Sequence, residues 1–217
     1  MSPDISIRRS FVSGRVPDRA PGNPVVRLGD SNLRLVDLSV LPRWGVKGRN
    51  IFAWLTKAGA DVPSGDNRIQ RQSDGSLIAQ LSPGEALILP SLPDGQSHLA
   101  RMIDALPAEG RDACYPAPRH DSHCWFMISG IDTPRMFAKL CGVDLASNKF
   151  SDGFVAQTSV ARLSAIVIRH DIANFISFSL LADSASAEYL WDCLLDAMTE
   201  FSGTVGSRDD IRASRHS

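Results

Sequence analysis

One short pattern occurs twice in this chain. Val46-Lys47-Gly48, a helix-like run and Gly59-Ala60-Asp61-Val62 return as Ile128-Ser129-Gly130, a helix-like run and Gly142-Val143-Asp144-Leu145. The glycines at 48 and 130 lie 82 positions apart. A second echo, Ala79-Gln80-Leu81-Ser82 and Ala156-Gln157-Thr158-Ser159, has an offset of 77. Two similar offsets in the same order read as a duplicated unit of helix and strand. The fold is therefore expected to be α+β, with two similar halves of mainly antiparallel sheet and packed helices around one core.

Hydrophobic periodicity places the elements. Leu33, Leu35, Val36 and Leu38 predict a strand, and residues 43–47 a second one ended by Gly48. Asn50 then stands as the N-cap of a helix facing inward through Phe52, Trp54, Leu55 and Ala58, with Gly59 as a left-handed C-cap. A hairpin is expected across Gln72-Ser73-Asp74-Gly75, because Asp-Gly supplies the positive φ angles of a tight turn. Strands follow at 77–81 and 85–89, then a helix through Leu99, Met102, Ile103 and Leu106 ending near Pro107. A loop containing Pro116, Pro118 and His120 reads as the junction between halves.

The second half repeats the scheme. A strand at 124–129 leads to Asp132 as a helix N-cap, with Met136, Phe137 and Leu140 buried. Strands are expected at 154–162, 165–169 and 175–181, the last central because it is apolar almost throughout. A final helix from Asp183 or Ser184 buries Ala187, Leu190, Trp191, Leu194, Leu195, Met198 and Phe201. The expected organisation is a flexible arm over 1–24, one domain over 25–203 made of halves 25–110 and 120–203, and a C-terminal tail over 204–217.

Charge and cysteine usage narrow the class. With 23 basic against 24 acidic residues, nothing provides the basic face that displaces phosphate counterions, so no nucleic-acid partner is expected. No apolar stretch of signal-peptide or membrane-spanning length is read, so no membrane partner is expected. Cysteines at 114, 124, 141 and 193 form no CxxC pair and read as reduced thiols. The expectation is a cytoplasmic protein.

Chemistry-bearing patterns are sparse. His120-Asp121-Ser122-His123-Cys124 is the one cluster with metal-ligand residue types. On a strand His123 and Cys124 point to opposite faces, so a shared ion would need His120 and His123 on a turn; a polar loop-to-strand transition is the preferred reading. Ser122 beside His123 makes no triad, and no serine lies in a nucleophile-elbow pattern. Cys141, at a helix end where the dipole disfavours a thiolate, reads as a core thiol. Asp61 and Asp144 recur at matching places, which favours a turn role over catalysis. Dinucleotide and Walker phosphate loops are missing. Trp54 and Trp191 read as core, while Trp44 and Trp125 fit either core or an interface. No catalytic, cofactor-binding or metal-ligating residue is assigned to this chain.

Asp121-Ser122-His123 leading to Ile128-Ser129-Gly130, the run 140–145, residues 150–153 and the run 156–162 together resemble the gamma subunits of heterotetrameric sarcosine oxidases. Tyr189-Leu190-Trp191-Asp192 through Glu200-Phe201 is similar to that family too, and the likeness spans residues 33–203. The family looks like a shortened relative of the folate-binding aminomethyltransferase fold, which Asp37-Leu38-Ser39 and Gly45-Val46-Lys47-Gly48 also fit. Lys139-Leu140-Cys141-Gly142 departs from the Lys-Gly-Cys-Tyr signature of the iron–sulfur-related folate protein. The extra barrel domain of full aminomethyltransferases is not expected within these 217 residues.

The resemblance implies a structural, non-catalytic subunit of a complex that oxidatively demethylates sarcosine to glycine. Its partners are then the large (alpha) subunit and the other subunits of the tetramer. FAD, FMN, NAD and tetrahydrofolate are expected in those partner subunits, and none on this chain. The one-carbon unit passes to tetrahydrofolate or leaves as formaldehyde. Two alternatives stand: a stand-alone folate-binding or one-carbon-transfer protein, and the equivalent subunit of a related N-methyl amino acid dehydrogenase.

Overall fold

The computed structural model describes residues 9–15, 32–92, 95–106, 110 and 113–215. The duplication is visible in the order of its elements. The first unit runs β1 (Arg34–Asp37), β2 (Trp44–Gly48), α1 (Ile51–Lys57), β3 (Arg68–Arg71), β4 (Leu77–Ser82), β5 (Glu85–Leu89) and α2 (Ala100–Asp104). The second runs β6 (Cys114–Pro116), β7 (His123–Ser129), α3 (Thr133–Phe137), β8 (Val155–Val160), β9 (Leu163–Arg169), β10 (Ser177–Asp183) and α4 (Ala187–Thr199). Two further elements follow, β11 (Thr204–Gly206) and α5 (Arg208–Arg215).

The units do not keep their own strands. One sheet has the order β3-β4-β5-β2-β6, the other β8-β9-β10-β7-β1-β11. Thus β1, the first strand of unit one, lies antiparallel against β7 of unit two, and β6, the first strand of unit two, lies antiparallel against β2 of unit one. Each half completes the other's sheet. The equivalent edge strands also meet at their starts, where Arg68 bridges Phe154, Ile69 N–H donates to Gly153 O at 2.9 Å and Val155 N–H donates to Asn67 O at 3.0 Å.

The repeated glycines sit where the exchanged strands cross. Gly48 has φ +149° and a Cβ there would lie 1.9 Å from Ala113 O, just before β6. Gly130 has φ +121° and a Cβ there would lie 2.1 Å from Asn32 O, just before β1. Both need glycine, for conformation and for close backbone approach. The pattern that opens each half is the geometric requirement of the exchange.

Alternation of side chains divides the apolar residues among three layers. On β7, Phe126 and Ile128 face α3 and α4, meeting Met136, Phe137, Leu190 and Trp191. Trp125 and Met127 face the other sheet, meeting residues such as Leu77, Leu87 and Leu89. The outer face of that second sheet, through Val46 and Ile88, packs on Ile51 and Leu55 of α1 and Ile103 of α2. The architecture is helix, sheet, sheet, helix. β10 is central and buried along most of its length, as its unbroken apolar run predicts.

Several local expectations change. Asn50 and Asp132 occupy their N-cap positions but make no side-chain cap bond; the Asp132 carboxylate takes Arg135 instead. Gly59 does close α1 at φ +83°, with its N–H on Thr56 O. Ile51, not Trp54, leads the buried face of α1. The Ala-Gln echo is not a structural equivalence. Ala79 lies on β4, second in its sheet, whereas Ala156 lies on the edge strand β8, whose counterpart by topology is β3.

The expected arm over 1–24 lies outside the described residues except for 9–15. There Val12 is buried in the main core, the Ser10 hydroxyl donates to Asp37, and Arg15 pairs with Asp192 and Glu188 of α4. The expected tail from 204 is instead built into the body. β11 runs parallel to β1, Ile211 is buried, and Arg34 donates to Asp210 at 2.7 Å with both side chains enclosed. Three paired residues and one buried ion pair hold a segment whose composition alone reads as a tail.

Two glycine substitutions separate the crossing from ordinary loop geometry. Gly130→Ala sets a methyl against backbone and is expected to cost on the order of 3 kcal/mol in urea denaturation. Gly142→Ala, with nothing within 4 Å of its new Cβ, is expected to change stability by less than about 1 kcal/mol.

Candidate functional site

Strand exchange brings the β1–β2 linker alongside the segment that leads from β6 into β7. Arg43, fully buried, joins them. Its guanidinium donates to Ser39 O at 3.0 Å, Leu41 O at 2.8 Å and His120 O at 2.6 Å, and also to His123 O. Four carbonyls on two segments thus share one planar cation, a geometry that suits Arg and not Lys.

A second arginine extends the junction. Arg119 lies across Gly45, where a Cβ would meet its side chain at 3.1 Å and Ala117 O at 2.3 Å. One guanidinium nitrogen donates to Glu85, which also takes Lys47 at 3.2 Å. Another lies 3.2 Å from His123 Nε2. Arginine can only donate, so Nε2 accepts and the ring carries its proton on Nδ1. That N–H donates to Ser122 Oγ at 2.8 Å, and the hydroxyl donates to Pro118 O at 3.3 Å. Burial, then the charges of Arg119 and Arg43, lower the His123 pKa to about 4. The imidazole is neutral near pH 7 with both nitrogens engaged.

Among the described residues, two clefts open into the space between the sheets, at opposite ends of β9. One, about 380 Å³, is bordered by His123, Gln157, Thr158, Ser164, Ile166 and Leu181. Gln157 is held in its wall by Leu81 O at 2.6 Å and Asn67 Oδ1 at 3.1 Å. The other, about 210 Å³, lies past the C-terminal end of β9, between Leu77, Leu89, Leu92, Trp125, His170 and Ile172. Its polar wall is buried and wired: Trp125 Nε1–H donates to Ser179 Oγ at 2.8 Å, and Ser179 Oγ lies 2.7 Å from His170 Nε2.

The residues of the His120–Cys124 cluster have separate surroundings. His120 Nδ1 accepts the Arg43 N–H at 3.3 Å and its ring packs edge-on to Trp44. Arg43 and Arg119 act on His123 with their positive charge, and Glu85 and Asp183 act on it with the opposite sign. Among the described residues no three His, Cys, Asp or Glu side chains gather to hold a metal. Cys124 points to the opposite face from His123, into the helix-side core, where burial pushes its thiol up to about 11.

Elsewhere, Asp144 has its turn role, accepting Ala146 N–H at 3.0 Å. Asp61 does not: its backbone N–H and O are held by the Gln72 side chain at 3.1 and 2.7 Å. Trp44 and Trp125 are both core residues, Trp44 donating to Asp104 at 2.9 Å. Arg43, Arg119 and His170 carry no sequence signal of their roles, since each acts across segments remote in the chain.

Exchanged first strands, duplicated halves and an enclosed inter-sheet space define an α+β fold of the aminomethyltransferase type. No protein-family model and no curated protein matches the sequence. Solved structures do match. A chain of the heterotetrameric sarcosine oxidase from Corynebacterium sp. U-96, solved in complex with pyrrole 2-carboxylate, has a TM-score of 0.68 at 20% identity, over 90% of this chain and 96% of that one. The glycine cleavage system aminomethyltransferase T from Bartonella henselae has a TM-score of 0.63 at 14% identity, over 85% of this chain and 50% of that one. The fold implied by the residue-level resemblance is thus the fold observed. The chain spans nearly the whole of the sarcosine oxidase chain and about half of the aminomethyltransferase.

Two measurements probe the junction. The unfolded chain takes up the His123 proton near its ordinary value of 6.5, the folded chain only at about 4. Between these the unfolded state binds more protons, so this contribution to stability is complete above about pH 6.5 and declines as the pH falls towards 4. His123→Asn is expected to flatten that part of the profile, measured by urea denaturation from pH 4 to 8. Arg43→Lys offers at most three donors to four carbonyls and is expected to cost roughly 2–4 kcal/mol in the same assay.

Proposed function

We propose that this chain is the gamma-type subunit of a sarcosine-oxidase-like complex, a cytoplasmic assembly in which it has a structural and not a catalytic role. The observation that carries this reading is the match over 96% of a chain from a heterotetrameric sarcosine oxidase. The aminomethyltransferase chain is covered over 50% and the sarcosine oxidase chain over 96%, which favours the latter as the model for this chain. The interior supports the same reading: the junction's imidazole has both nitrogens engaged and the nearby thiol is pushed towards its neutral form.

In this proposal the large (alpha) subunit and the other partner subunits hold FAD, FMN, NAD and tetrahydrofolate. A partner flavin removes the hydride equivalent from the N-methyl group of sarcosine, and glycine and a one-carbon unit are released. This chain supplies a rigid body on which that machinery assembles. The same part in a related N-methyl amino acid dehydrogenase is a variant of the proposal, because substrate choice then resides in a partner subunit.

A second reading has its own support: the aminomethyltransferase-type fold and the inter-sheet clefts suit a stand-alone folate-binding or one-carbon-transfer protein. Affinity purification of the tagged chain from its native cells separates the two. The first expects co-elution with flavin-bearing partners and sarcosine-dependent hydrogen peroxide formation by the complex. Elution of the chain alone, with micromolar tetrahydrofolate binding by calorimetry, overturns it.

A further inference from the structure

Residues 10–15 touch the body through side chains alone. The segment is a closed turn in its own right: Val12 N–H donates to Ser10 Oγ at 3.0 Å, Ser13 N–H to Ser10 O at 3.3 Å and Arg15 N–H to Val12 O at 2.8 Å. Among the described residues, none of its backbone groups bonds to a strand or helix of the body. The turn is joined to β1 only through residues 16–33 of the chain, and β1 is paired by β7 and β11. Leaving its seat therefore breaks no strand pairing of β1.

Three anchors supply that seat. The Ser10 hydroxyl donates to Asp37 Oδ2 at the end of β1, while Asp37 Oδ1 takes Ser39 N–H at 2.9 Å. Val12 is 1% exposed in the helix-side core, and Phe11 packs against the same core half-buried. Arg15 reaches α4, with Nη1 on Asp192 at 2.5 and 2.6 Å and Nη2 on Glu188 at 3.1 Å. Glu188 and Asp192 are four residues apart and share one helix face. α4 carries no basic residue of its own, so the turn brings the counter-charge. An apolar side chain sunk between two polar contacts is how a short peptide is held in a receptor.

The anchors respond to different conditions. Arg15, Glu188 and Asp192 are 41%, 65% and 54% exposed, so salt screens their pairing and its contribution is small. The Val12 anchor is apolar burial, which screening does not touch. The seat thus has one strong central contact and a weak, salt-sensitive latch.

We propose that residues 10–15 are a displaceable, autoinhibitory self-ligand. Their seat between the end of β1 and α4 is a docking site for a partner segment of the same chemistry: a hydroxyl, a branched apolar side chain two residues on, and a guanidinium three residues after that. The proposal does not rest on the assembly role.

The test uses the full chain, with a fluorescein-labelled peptide of residues 8–16 as the probe. Hydrogen exchange followed by NMR is expected to show the amides of Val12, Ser13 and Arg15 opening ahead of those of β7, roughly twofold faster in 0.5 M than in 0.05 M sodium chloride. Arg15→Gln removes this salt response. Val12→Ala speeds the same amides roughly tenfold and leaves β7 unchanged. By fluorescence polarisation, Val12→Asp, with its own turn released, binds the peptide saturably below 1 mM. The unaltered chain binds it roughly tenfold more weakly, because its own turn competes. A peptide carrying Val12→Asp does not bind. Spectra establish that the Val12→Asp chain is folded; if it is not, the double variant Ser10→Ala with Arg15→Ala replaces it. Exchange of the turn only together with β7, no peptide binding to the released chain, or equal binding of the altered peptide overturns the proposal.

Discussion

The buried guanidinium of Arg43 is the contact on which the strand exchange depends. Exchange obliges the polypeptide to cross from one sheet to the other twice, and each crossing leaves carbonyl groups without a ladder partner. Four of these, on Ser39, Leu41, His120 and His123, point at Arg43. A buried carbonyl without a donor costs about as much as a lost hydrogen bond, and a buried cation without acceptors costs more. Each requirement satisfies the other here, and the two segments are fixed in register.

That junction also fixes the side chains of the most suggestive sequence cluster. His123 has the residue type of a general base, yet Arg119 occupies Nε2 and Ser122 occupies Nδ1. Burial and two neighbouring guanidinium groups keep the ring neutral near pH 7. The arginines that close the crossing thus tie His123 into it through its carbonyl and its ring. The same economy applies at the C-terminus, where Arg34 enclosed with Asp210 binds α5 to the sheet.

What could be read from the sequence was what is local. The hairpin at Asp74-Gly75, the unbroken apolar run of β10 and the amphipathic stripe of α4 follow from periodicity and turn chemistry. The repeat around Gly48 and Gly130 was also legible, though not its cause, since the backbones each glycine admits lie at Ala113 and Asn32. β6 was read as a loop because Cys114-Tyr115-Pro116 is too short to show a period, and it is a strand only by pairing with β2. The Ala-Gln echo failed for the opposite reason: a dipeptide on an alternating strand repeats by chance, and only the sheet order reveals which strands correspond. Neither cleft was legible, because each is lined by residues from several strands of both sheets or their linkers.

The distribution of polar groups connects this architecture to the division of labour proposed for it. Catalysis requires titratable groups left poised, unpaired and reachable, at a cost in stability. At the crossing, Arg43, Arg119, His120 and His123 are all engaged with backbone or side-chain groups. Such a body has two interlocked sheets that cannot separate without breaking the Arg43 contacts and both edge pairings. Relative motion of its halves is therefore costly, and rigidity is the property it can lend to larger partners.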